Sequence, residues 1–192
     1  MLRFGSYARE ALRDATAETH LRMHGLAPFT AIAEERLTRT RYARLLQALF
    51  VFHSAVAVAA HRSGWSSVSS STEKLDLIVS DVSRLRSYAP DWISDWRPGC
   101  AESVLGAIYV AEGSMMGGKL IARQLDYLLG ASDEGRRFFI GRGHADSLTW
   151  RQLLALLECK LTDPRALDCA TAGALAAFDL FETCVARVMP RS

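Results

Sequence analysis

The chain has 192 residues, 49% hydrophobic and 23% charged, with a net charge of +2. That size suits a single domain, residues 1–192, with a sizeable core, and its 23 Lys and Arg residues are scattered instead of forming the basic block that nucleic acid requires. The most apolar run, 48–60, is shorter than the roughly 20 residues that span a bilayer, and 1–6 lacks a signal-type apolar region, so the expected location is cytoplasmic, with no membrane partner.

Periodicity is helical almost throughout, and the expected class is all-α. Phe4, Ala8, Ala11, Ala15, Thr19 and Met23 form a stripe at three- and four-residue intervals, with Arg9, Glu10, Asp14 and Glu18 opposite. Gly25 and then Pro28 should end this first helix, and a short helical turn can follow over 29–35. Thr40 then caps a long helix in which Tyr42, Leu45, Leu46, Leu49, His53, Val56 and Ala60 line one face; its apolar girth makes it central.

A Ser-rich loop over 64–72 leads, through Thr72 or a neighbouring Ser as cap, to a helix over 73–88, and 89–99 reads as an irregular connection. A glycine-interrupted helix comes next, then a short helix over 134–140, a Gly-rich loop, and a helix opening at Ser147. Asp163-Pro164 is a helix start, an N-cap followed by proline in the first turn. The last helix should bury Leu167, Ala170, Ala174, Phe178, Phe181, Val185 and Val188. No alternating strand pattern and no repeat is visible, and seven or eight helices are expected.

Cys100, Cys159, Cys169 and Cys184 stand far apart with no CxxC. They read as reduced, buried small hydrophobes, and no zinc or iron–sulfur site is expected from them.

Two segments carry chemistry. The run Gly113-Ser114-Met115-Met116-Gly117-Gly118 interrupts an otherwise helical stretch. Each interior glycine costs roughly 1 kcal/mol relative to Ala, so three need a reason. Gly113 and Gly117 stand one turn apart and offer a bare surface on which a flat ligand can lie; close helix packing or helix termination is the alternative. His20 lies late in the first helix with Arg13 two turns earlier on nearly the same face. That is a workable arrangement for heme, nitrogen to iron and cation to propionate. His24 reads better as a helix C-terminal cation, His53 as a satisfied core histidine, and His61 and His144 as solvated. No histidine has Glu three residues before it, so a carboxylate di-iron bundle is not indicated. The P-loop, GxSxG, dinucleotide and HExxH patterns are missing too.

Leu12-Arg13-Asp14-Ala15-Thr16-Ala17-Glu18-Thr19-His20 and Tyr109-Val110-Ala111-Glu112-Gly113-Ser114-Met115-Met116-Gly117-Gly118 together resemble the heme oxygenase family, over essentially the whole chain, with wording similar to bacterial members that supply biliverdin to phytochromes. The resemblance implies an all-α, multi-helical bundle with a glycine-kinked distal helix. It implies that His20 is the axial ligand of the heme iron, that Gly113, Ser114 and Gly117 form the distal wall, that Arg13 and Tyr109 stand at the propionate edge, and that Gly118 belongs to the heme-binding set; Arg123 is a further propionate candidate only from its place two turns past the glycines.

Heme would be substrate and cofactor, cleaved with O2 to biliverdin, carbon monoxide and ferrous iron. Electrons would come from an external reductase or ferredoxin, and a bacterial phytochrome is a candidate biliverdin acceptor. The alternatives are a non-catalytic heme carrier or sensor on the same fold and a helical interaction module without cofactor. Two positions depart from the family pattern: Ser114, where some members carry Asp, and His24, where an acidic residue is common.

Overall fold

The structure, a computed structural model, describes residues 7–189. Phe4, expected to open the first stripe, and the 1–6 segment lie outside the described residues. Ten α-helices follow one another: α1 (Tyr7–His24), α2 (Ala27–Ala33), α3 (Arg39–Arg62), α4 (Ser71–Arg84), α5 (Ala101–Gly113), α6 (Gly118–Gln124), α7 (Asp126–Leu129), α8 (Arg137–Ile140), α9 (His144–Lys160) and α10 (Pro164–Val188). No strand occurs among the described residues. The excess over the seven or eight expected arises because the glycine-interrupted helix is divided into α5, α6 and the four-residue α7; the short helix expected over 134–140 is α8.

The core forms where α10 lies across α5, α3 and α1. Crossing α5 and α10 is a matter of missing side chains. A Cβ on Gly106 would sit 1.8 Å from the Ala170 carbonyl oxygen, and one on Gly173 would sit 1.9 Å from that of Ser103. The two backbones therefore touch at a point no larger residue can occupy.

Around this crossing α3 buries Tyr42, Leu45, Leu46, Leu49, His53, Val56 and Ala60, as its spacing predicts. By length and composition α3 and α10 are apolar enough to cross a membrane. Here they pack on one another, and burial in a shared core accounts for that apolarity.

Several boundaries shift for local reasons. Thr38, not Thr40, caps α3, its side chain accepting from the Arg41 N–H at 3.3 Å. Helix α4 spans Ser71–Arg84, not 73–88, since Arg86 turns left-handed (φ 55). Asp163 caps α10 as expected, accepting from the Ala166 N–H at 3.0 Å. In α10, Leu167 and Val188 are only partly buried.

In α1 the stripe is rotated. Leu12 and Thr16 are buried where Ala11 and Ala15 were expected, because Leu12 brings more apolar surface to the core and Thr16 satisfies its hydroxyl on the Leu12 carbonyl at 2.7 Å. The cysteines also differ from expectation. Only Cys184 is buried; Cys159 is exposed, and Cys100 and Cys169 are half-buried.

Candidate heme site

Helix α1 carries the proximal candidates. The 8, 12, 16, 19 and 23 positions face inward, which turns Arg13 and His20 outward together. His20 stands 4.8 Å, ring to ring, from His24 and 6.3 Å from Phe178 of α10. Partial burial against these neighbours, and the second imidazole, lower its pKa from 6.5. At neutral pH the imidazole is thus uncharged and keeps a free lone pair.

The start of α1 is held by a residue that periodicity alone did not single out. Both oxygens of Glu158 on α9 accept backbone N–H groups at the first turn of α1, from Ala8 at 3.1 Å and Arg9 at 3.0 Å. A carboxylate at those free donors satisfies them and complements the helix dipole.

Helix α5 carries the distal candidates, and the glycine run breaks it. Regular helix ends at Gly113, Ser114–Met116 tighten into a 3-10 turn, and α6 starts at Gly118. Neither Gly113 (φ −63) nor Gly117 (φ −89) adopts a conformation reserved for glycine. Their bareness is a matter of space. A Cβ on Gly117 would meet nothing within 4 Å, and one on Gly113 would meet only the Trp150 ring, at 3.6 Å. Ser114 is exposed, and its hydroxyl donates to the Ala111 carbonyl at 2.9 Å, which leaves its lone pairs outward. Gly118 is different: it is buried, and a Cβ there would lie 2.5 Å from the Phe139 carbonyl oxygen. It seats α6 against α8.

Tyr109, one turn before Gly113, joins the two walls. Its ring lies 5.5 Å from that of Trp150. Burial raises its phenol pKa, while the nearby Arg9 and Arg13 of α1 lower it. Arg13 is exposed and pairs with Asp14 at 2.9 Å, an ion pair of small energy that a bound anion can displace. Arg123 belongs to another group of charges. It lines a cavity of about 400 Å³ with Lys119, Asp126, Asp133 and Arg136.

Behind the glycine run lies a buried polar layer. Glu112 accepts from Lys74 Nζ at 3.1 Å, from the Ser70 N–H at 2.7 Å and from the Ser70 hydroxyl at 2.7 Å, with the Lys74 and Glu112 side chains only 1% and 2% exposed. Lys74 also donates to the Ala111 carbonyl at 2.9 Å. His53 Nδ1 meets Ser71 Oγ at 3.2 Å, while its Nε2 has no protein partner. Desolvation, then the Lys74 charge, push the His53 pKa well below 6.5. These contacts fix the last turn of α5 just before it breaks.

The architecture is an all-α fold in which a helix bearing an uncharged histidine and a helix broken at paired glycines are both braced by α9 and α10. That is the fold of the heme oxygenases. The structure superposes on the NO- and CO-bound heme oxygenase of Neisseria meningitidis with a TM-score of 0.72, at 20% identity over 98% of this chain and 92% of that one. It superposes on heme oxygenase of Leptospira interrogans with a TM-score of 0.70, at 15% identity over 94% and 98% of the two chains.

In sequence it is related to a heme oxygenase of Xanthomonas campestris pv. campestris (strain 8004), 38% identical over 81 residues, or 42% of this chain. The chain spans about half the length of that curated relative, 48%. No family model matches the sequence.

Proposed function

We propose that residues 1–192 act as one domain that binds heme as substrate and cleaves it oxidatively to biliverdin, carbon monoxide and ferrous iron. The observation that carries this reading is the pair of walls: His20 and Arg13 on α1, and Tyr109 with the open backbone at Gly113 and Gly117 on α5. The donor set fits the substrate: an uncharged imidazole suits the iron, a loosely paired arginine suits a propionate, and backbone without Cβ admits a flat macrocycle.

Each residue then has a task. His20 ligates the iron, and its lowered pKa keeps the proton off the nitrogen that must bind. Arg13 exchanges Asp14 for a propionate, with the Tyr109 phenol beside it. Gly117 keeps its part of the distal face clear of side chains, Gly113 leaves only the Trp150 ring against its own, and Ser114 offers its hydroxyl oxygen there as an acceptor. Heme would supply the iron that activates O2 once external electrons arrive; the protein supplies a glycine-lined stretch of backbone, open at Gly117 and faced by the Trp150 ring at Gly113. Gly118 supports this wall from behind, and Arg123 remains a candidate for a propionate only through its place on α6. A reductase or ferredoxin as donor, a phytochrome as biliverdin acceptor, and a cytoplasmic setting complete the proposal.

The test is to add hemin to the purified chain, then a reductant in air, and follow the visible spectrum. The expected result is a histidine-ligated band that decays into biliverdin absorption. A band that forms and persists with several electron donors would make the protein a carrier or sensor, and no band at all would leave the fold without its ligand. His20→Ala should abolish the histidine-ligated spectrum and lower turnover by at least the roughly 10–100-fold that losing a metal ligand's own supporting partner costs. An unchanged spectrum and rate would remove His20 from the site.

A further inference from the structure

The fold reunites two cysteines that the sequence keeps far apart. Cys100 immediately precedes α5 and Cys169 lies in the second turn of α10, and between them stands Glu102 of α5. The two sulfurs and a Glu102 carboxylate oxygen all lie within 4.8 Å of one another, and all three residues are half-buried. We propose that Cys100, Cys169 and Glu102 form a site for a thiophilic divalent cation, Zn2+ being the natural occupant, which clamps the start of α5 to α10.

The geometry is close to what such an ion needs. With Zn–S near 2.3 Å and Zn–O near 2.0–2.2 Å, the ligand atoms of a tetrahedral site sit about 3.5–3.8 Å apart. The present spacing, within 4.8 Å, exceeds this by about 1 Å at most. Half-burial leaves room for a water as fourth ligand and a path for the ion to enter.

Cys100 is held in place: its N–H donates to Ser103 Oγ at 3.2 Å, and that hydroxyl donates back to the Cys100 carbonyl at 2.6 Å. Burial raises the Cys100 thiol pKa, but hydrogen bonds from Cys169 and from the Ser103 N–H outweigh it and leave the thiol below its ordinary value. The thiolate is the form that a metal binds. Cation binding displaces the remaining thiol protons, and Glu102 balances the charge of the bound ion.

Cys159 and Cys184 provide internal controls, the first exposed and the second buried, neither in the cluster. The full chain, reduced with a phosphine and free of heme, is titrated with Zn2+ against a chromophoric chelator. One equivalent should bind. Cys100→Ser and Cys169→Ser should each weaken binding by at least about 100-fold and Glu102→Gln by about tenfold, while Cys159→Ser and Cys184→Ser should change nothing.

A second measurement uses the unaltered protein, so a variant that misfolds cannot decide the matter. Zn2+ should protect Cys100 and Cys169, but not Cys159, from alkylation read by mass spectrometry. Binding well below one equivalent, binding by both serine variants as tight as that of the unaltered chain, or alkylation at Cys100 and Cys169 unaffected by Zn2+ would overturn the proposal. So would a Cys100–Cys169 disulfide that persists under the phosphine and excludes the metal. None of these readouts involves heme, so the outcome is independent of the oxygenase reading.

Discussion

Single residues set the tightest tolerances in this molecule, and glycines show it best. Gly106 and Gly173 both lie where a Cβ would overlap a carbonyl oxygen of the facing helix. Gly106→Ala must push α5 off α10, and it should cost at least about 3 kcal/mol, the upper end of ordinary overpacking; chemical denaturation measures it, and a loss below 1 kcal/mol would show that the crossing yields easily. Sequence inspection did not find either glycine, because a lone glycine in a helix has no signature that separates close packing from tolerance. The conspicuous cluster was visible, yet it mixes two uses: Gly118 packs on Phe139, whereas Gly117 faces open space. Trp150 and Glu158 were similarly invisible in sequence, since what they touch, Tyr109 and the first turn of α1, is remote along the chain.

At the level of elements, the break between α5 and α6 exchanges stability for access. Gly117 has near-helical dihedrals (φ −89, ψ −11) and no atom within 4 Å of a would-be Cβ. Gly117→Ala should therefore stabilise the protein, by about 0.5–1 kcal/mol through the unfolded chain alone. If the heme reading holds, the same methyl narrows the distal face, and turnover should fall while hemin still binds. Thermal unfolding and the hemin assay run on one preparation separate the two effects; a variant that is both less stable and fully active would refute this account.

Helix existence was legible wherever periodicity ran long, as in α3 and α10. It failed at α7, four residues long and read as part of the glycine-interrupted helix, and at the C-terminal end of α4, where one left-handed Arg86 decides the stop; the short helix expected over 134–140 is found as α8. The rotated stripe of α1 has the same cause: alanine and threonine give a weak pattern, and the contacts of Leu12 settle which face turns in.

Over the whole molecule, buried charge shapes the response to pH. Asp81 accepts the backbone N–H groups of Arg137 and Phe138 at the start of α8, at 3.0 and 2.8 Å. Burial nonetheless raises its pKa from 3.8 to about 6. Because the folded carboxyl holds a proton that the unfolded one has released, the stabilisation from this shift is fully present below about 4 and is lost as pH rises through about 6. His53 acts in the opposite sense. Its depressed pKa gives stability that is present above 6.5 and lost as pH falls, by ~1.4 kcal/mol per pH unit.

In the Asp81→Asn variant only the second effect survives. The stability of the wild-type chain relative to that variant should grow as pH drops from about 6 to about 4, approaching ~1.4 kcal/mol per unit. Parallel denaturation profiles of the two proteins would show that Asp81 titrates normally.

Helix α9 has a consequence for how the molecule can change over time. It grips α1 through Glu158 and meets α5 through Trp150, two side chains two turns apart on one rigid rod. These two contacts, one to each wall, are thus spaced by the pitch of a single helix, alongside the packing of both α1 and α5 on α10. The connections over 85–99 and 130–135 carry neither of these two contacts. A one-residue insertion between Trp150 and Glu158, by contrast, would rotate one contact away from the other by about 100°, leaving α10 alone to hold both walls.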